Sequence, residues 1–132
     1  MKPDVLIKQL QAQRETWCEL EPAEGGRPAL RVLIRRPSET ELPKLYGGVS
    51  IAAVQACVVG WEGMSTERLL GAAVGSADAL AFDAALWAEI ASDRAAWSEA
   101  CAAHLVGQIT AHLDAKAKLQ GNSKPSSTQA QA

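Results

Sequence analysis

Apolar positions along this chain fall into distinct periodicities, and each periodicity names an element. Val5, Leu6, Gln9, Leu10 and Gln13 recur at helical spacing behind Pro3, which predicts a short amphipathic helix over residues 4–13. Thr16-Trp17-Cys18-Glu19-Leu20 reads as a strand. Leu30, Val32 and Ile34 alternate with Arg31 and Arg35, which predicts a second strand with one apolar face. Glu24-Gly25-Gly26-Arg27-Pro28 lies between them, so the pair reads as a β-hairpin. Such a hairpin is marginal alone in water, and its apolar face needs a helical layer to lie on.

The continuous apolar run through Val54-Gln55-Ala56-Cys57-Val58-Val59-Gly60-Trp61-Glu62-Gly63-Met64 organises the rest. It predicts a buried helix over residues 51–59 that stops at Gly60, with Trp61 packed over its end and the indole N–H on a nearby carbonyl. Upstream, Pro37 ends the strand and Ser38-Glu39-Thr40-Glu41 has the form of a capping box, with Leu42, Leu45 and Tyr46 facing inward. Downstream, Thr66-Glu67-Arg68-Leu69-Leu70 allows at most one short helical turn, and residues 71–81 are loop-like. Asp83 then caps a helix carrying Leu86, Trp87 and Ile90, with Phe82 stapled onto Trp87 or a near neighbour. Trp97, Cys101, Leu105, Ile109 and Leu113 form an i, i+4 stripe along a last helix over residues 94–119. Beyond it no large apolar residue occurs, and residues 120–132 are expected to be disordered. The expected architecture is a small α+β chain: a mainly α, compact helical domain over residues 1–119 with an N-terminal β-hairpin.

Composition sharpens this picture in one respect. Hydrophobic residues make up 48% of the 132, but much of that is alanine, which favours helix and buries little area. Core burial therefore falls to the four tryptophans, with Trp61, Trp87 and Trp97 as the structural anchors and Trp17 packed in the core as well. A net charge of −2 gives no footprint for nucleic acid. The arginines Arg27, Arg31, Arg35 and Arg36 share the hairpin with Glu19, Glu21 and Glu24 and read as its solvated outer face. No apolar segment reaches the roughly 20 residues of a membrane span, and the N-terminal apolar run is too short for a signal peptide.

Candidate chemistry is sparse. Cys18, Cys57 and Cys101 are odd in number and far apart, which argues against a disulfide framework or a metal site and fits reduced thiols in a cytoplasm. His104 and His112 lie eight residues apart on one predicted helix, not at the i, i+4 spacing of helical metal pairs. Cys101 and His104 are close enough along that helix for a thiolate–imidazole pair, but nothing nearby supplies an orienting group or an oxyanion site. No glycine cluster ends in the Lys-Ser/Thr of a phosphate loop. The expectation is a protein that is not an enzyme and carries no metal or cofactor.

One resemblance goes further. Ile34-Arg35-Arg36-Pro37-Ser38, Val58-Val59-Gly60-Trp61-Glu62-Gly63, Ala81-Phe82-Asp83-Ala84-Ala85-Leu86-Trp87 and Ser92-Asp93-Arg94-Ala95-Ala96-Trp97 together resemble the core pattern of tail assembly chaperones from long-tailed bacteriophages. The resemblance spans residues 30–115 and implies a protein of the host cytoplasm that acts during virion assembly. Its implied partners are the tape measure protein, which it coats and keeps soluble, and the tail tube protein, which it helps to recruit. It leaves room for self-association and for a frameshifted longer form. Met64, Leu69 and Leu70 beside Trp61 are the first candidates for partner contact, with Leu6 and Leu10 of the first helix second. A structural virion subunit, such as a connector or tail-completion protein, is the competing expectation.

Overall fold

The alternation at Leu30, Val32 and Ile34 organises a three-stranded antiparallel sheet. The structure, a computed structural model, describes residues 1–123. Strands β1 (Glu15–Glu21), β2 (Leu30–Arg35) and β3 (Val58–Glu62) lie side by side in that order, with β2 in the centre. Helices α1 (Pro3–Ala12), α2 (Ile51–Cys57), α3 (Thr66–Leu70), α4 (Ala84–Ser92) and α5 (Ala95–Ser123) complete a small α+β domain. The predicted hairpin is β1–β2, closed by the Glu24–Arg27 bridge, and Gly25 and Gly26 take the positive φ values of 56° and 79° that a two-residue turn demands.

The third strand corrects the end of the helix expected over residues 51–59: Val58 and Val59 are strand, and so are the residues of the expected exit, Gly60 to Glu62. Val58 pairs with Ile34 and Gly60 with Leu33, so Val59 is an extra bulged residue. That bulge places Val58 and Trp61 on the same inner face although they stand three apart, a spacing that mimics helical periodicity. The helix itself ends at Cys57, where β-branched valines begin to pair with the edge of β2. Gly63 then turns the chain at φ 82°, and a Cβ there would stand 2.1 Å from the Ala29 carbonyl oxygen. That close approach, rather than a helix exit, is what its glycine serves.

Cys18, Val32 and Trp61 pair across the sheet and are all buried. With Leu30, Ile34, Val54, Val58, Met64, Trp87, Ile90, Trp97, Cys101 and Leu105 they build one core between the sheet and a layer of α2, α4 and α5. Trp61 donates its indole N–H to the Leu80 carbonyl at 2.6 Å, and its ring meets Phe82 edge-on at 4.9 Å. Phe82 therefore staples onto Trp61, which in turn meets Trp87 at 6.5 Å. Asp83 caps α4 as predicted, accepting the Leu86 N–H at 2.8 Å.

Three further expectations are corrected. Trp17 pairs with Leu33 rather than with an inner residue, so strand parity sends it to the outer face, 37% exposed under the Arg31 guanidinium. The box at Ser38 closes through Glu41, whose carboxylate accepts from the Ser38 N–H at 3.0 Å, but it opens only a 3-10 turn, Leu42–Leu45. Pro43 denies that segment an α-helical hydrogen bond. Leu42 is buried there while Tyr46 is exposed. Finally, α5 runs through Gln120 to Ser123, past the expected end at Leu119. A single glycine such as Gly121 costs only about 1 kcal/mol in a helix. Residues 124–132, where the rest of the expected disorder falls, lie outside the described residues.

Two of the three core indoles, Trp61 and Trp87, make a direct comparison. Trp61 has a partner for its N–H, whereas the buried Trp87 indole N–H has none. Replacing either ring by phenyl removes similar area, but only Trp61→Phe strips a bond from the Leu80 carbonyl. Urea denaturation should therefore show Trp61→Phe less stable than Trp87→Phe by about 1–2 kcal/mol. Equal midpoints for the two variants would contradict this role for the Trp61 N–H.

Candidate partner-binding surface

Helix α1 is amphipathic, yet none of its residues is buried. Val5, Leu6, Ile7 and Leu10 are each 43–54% exposed. The helix is tied to the body at its C-terminal end, where the Arg36 N–H donates to the Arg14 carbonyl at 2.8 Å and Arg35 pairs with Glu15 at 2.7 Å. Ile7, Leu10 and Gln11 stand at i, i+3 and i+4 on one face of the helix, and Arg14 follows in the turn that leaves it. That face lines an open groove of about 560 Å³, completed by Gln13, Arg14, Arg36 and His112. Leu6 and Leu10 are the α1 residues expected at a partner contact, and of these Leu10 lines the groove. Ile7 and Arg14 are visible in the sequence at helical spacing from Leu10, whereas Arg36, just beyond β2, and His112 of α5 join them only through the fold.

The other predicted contact residues divide. Leu70 is 62% exposed on α3, and Leu69 is partly buried against the core. Met64 is only 1% exposed and is a core residue, so the folded chain does not offer it to a partner. Arg68 of α3 reaches Glu21, the Pro28 carbonyl at 2.6 Å and the Gly63 carbonyl at 3.1 Å, which fixes α3 beside the N-terminal end of β2. Arg36 fixes α1 at the opposite end of that strand. Leu6 and Leu10 on one side and Leu70 on the other are thus separate patches. Trp61, Trp87 and Trp97 are buried, as their reading as anchors requires.

The polar groups of α5 serve to dock it. The Gln108 amide donates to Thr16 Oγ1 at 2.6 Å and to the Ile34 carbonyl at 3.0 Å. Thr16 Oγ1 also lies within hydrogen-bond distance of His104 Nε2, at 2.7 Å. His112 and Lys116 both reach the Glu39 carboxylate, at 2.7 Å each. The two histidines share no partner, and among the described residues no cluster of metal-ligating side chains occurs. His104 turns to Thr16 rather than to Cys101. The Cys101 thiol is hydrogen-bonded with Cys18 and buried, which raises its pKa far above the ordinary range and keeps it protonated. All three cysteines are free thiols.

Around the groove, Arg14 lies 3.9 Å from Glu41, while the Arg36 side chain donates to the Pro37 carbonyl at 2.9 Å. Burial, and then the neighbouring Arg14, push the Arg36 pKa below its ordinary value, although a guanidinium stays charged at any physiological pH. The groove therefore joins an apolar helical face to two neighbouring cations. Among the described residues, no helix is long and apolar enough to cross a membrane. No protein-family model, curated protein or solved structure matches the chain.

Burial disfavours the protonated His104 ring and holds its pKa below the ordinary value. As pH falls below about 6.5 the unfolded chain takes up this proton before the folded one does, and stability is lost. Glu39, whose pKa is lowered first by its bond to Lys116 and then by His112, adds a loss of the same sign at lower pH. Urea midpoints should thus fall between about pH 7.5 and 5.5. In His104→Gln the fall should be smaller. An equal fall in both proteins would show that His104 does not drive it.

Proposed function

We propose that this protein is a phage tail assembly chaperone that binds the tape measure protein in the host cytoplasm, keeps it soluble and helps recruit tail tube subunits. The single observation that supports the reading is α1, an amphipathic helix that leaves Val5, Leu6, Ile7 and Leu10 open to solvent on a body whose own core is complete. An unpartnered apolar helix face is suited to holding a helix of another protein, because ridges and grooves of two helices interlock without strict sequence matching. A long amphipathic partner would expose more apolar surface than water tolerates, and repeated weak contacts along it would shield that surface. The family resemblance supplies the identity of the partner. With Met64 in the core, the contact surface is assigned to Leu6 and Leu10, and Leu70 marks a lesser patch at the far end of β2.

Co-expression of tape measure fragments with this chain should keep them soluble, with several copies bound per fragment. Leu6→Asp/Leu10→Asp should abolish the effect while leaving the melting temperature unchanged, because neither side chain is buried. Fragments that stay insoluble with the wild-type chain, together with the chain present at fixed copy number in purified particles, would favour the structural-subunit alternative.

A further inference from the structure

The groove beside α1 carries charge as well as apolar surface, and that combination restricts what fits it. Its lining includes Ile7 and Leu10 together with Arg14, Arg36 and His112, and no carboxylate. Among the described residues, Arg27, Arg31, Arg35 and Arg68 each pair with a carboxylate at 3.6 Å or closer. Arg14 has only the 3.9 Å approach of Glu41, and Arg36 has a backbone carbonyl and no carboxylate in ion-pair range. Two cations are thus held side by side, half-buried, at the edge of an unpartnered apolar face. Glu39, the acid nearest His112, is engaged by both His112 and Lys116.

We infer that this groove receives an amphipathic α-helix of a partner protein that carries an Asp or Glu about one turn from its apolar stripe, the carboxylate lying between Arg14 and Arg36. The inference rests on the partner-binding reading above and adds the chemistry of the partner. A helix is the matching occupant because Ile7, Leu10 and Gln11 repeat at helical spacing on α1 and present a ridge to a facing groove, with Arg14 in the turn beyond it. The α1 face is about 15 Å long, so a partner segment of roughly ten residues covers it. A carboxylate there would give Arg36 a direct ion pair, where now it feels only the more distant charge of Glu39. It would also fix the register and direction of an otherwise permissive apolar contact, since charge complementarity selects partners more than it adds affinity.

The test uses the full chain and three synthetic helical peptides of about 14 residues, long enough to overlap α1. The peptides share one Leu/Ala stripe and carry Glu, Gln or Lys one turn from it. Binding is read by fluorescence anisotropy, and the protein's size in solution is measured alongside. The Glu peptide should bind the wild-type chain roughly three- to tenfold more tightly than the Gln peptide, and the Lys peptide more weakly still. Arg36→Gln should remove the preference, Arg36→Glu should reverse it toward the Lys peptide, and Leu10→Ser should weaken all three. The wild-type comparison stands even if a variant fails to fold. Equal affinities for the three peptides would overturn the inference. So would a wild-type dimer that Leu10→Ser dissociates, which would make a second copy the occupant. Peptides that obey the charge rule beside tape measure fragments that stay insoluble would leave this inference standing and remove the chaperone reading. The converse result would remove only this inference.

Discussion

The Trp61 side chain is the contact on which the arrangement of the helical layer depends. It belongs to β3, yet its N–H is bonded to Leu80 and its ring abuts Phe82 and Trp87. The segment between α3 and α4 has no regular structure, and Trp61 anchors its end to the sheet. The Leu80 N–H is held in turn by the Met64 carbonyl at 2.9 Å, so the indole bond and this one clamp Leu80 from both sides. Once Leu80 and Phe82 are set, Asp83 can cap α4 and deliver Trp87 to the core. The alanine-rich helices bury little area themselves, which is why a few large rings carry so much of the packing.

The outer face of the sheet is stabilised differently. Arg31 pairs with Glu62 and covers Trp17, and Arg35 pairs with Glu15. These contacts join neighbouring strands across the solvent side. Arg31 and Arg35 are therefore paired within the sheet, while Arg27 pairs with Glu67 of α3. Arg36, one residue beyond β2, escapes this pattern and stands instead beside α1.

Much of the fold was legible because local periodicity and tertiary burial agree. Leu30, Val32 and Ile34 alternate and are buried; Gly25-Gly26 turns; Asp83 caps; Trp97, Cys101 and Leu105 form a buried stripe. The failures occur where one residue changes the phase. The bulge at Val59 gave a strand the spacing of a helix, and Trp17 has the core's chemistry on the wrong strand parity. Met64 read as adaptable surface because it follows a loop signal, whereas the tight turn at Gly63 carries it inward. Helix α1 was visible in the sequence, but its groove was not. Arg36 and His112 join it from elements far along the chain, and no local pattern encodes that meeting.

The proposed function rests on this contrast between a completed core and helix α1, none of whose residues is buried. Amide hydrogen exchange on the chain alone and on the chain co-purified with a tape measure fragment tests the contrast most directly. Amides of α1 should exchange quickly in the free protein and slow markedly in the complex, while those of β2 stay equally slow in both. Unchanged exchange in α1, with new protection confined to α3 beside Leu70, would contradict the assignment of the partner surface to α1.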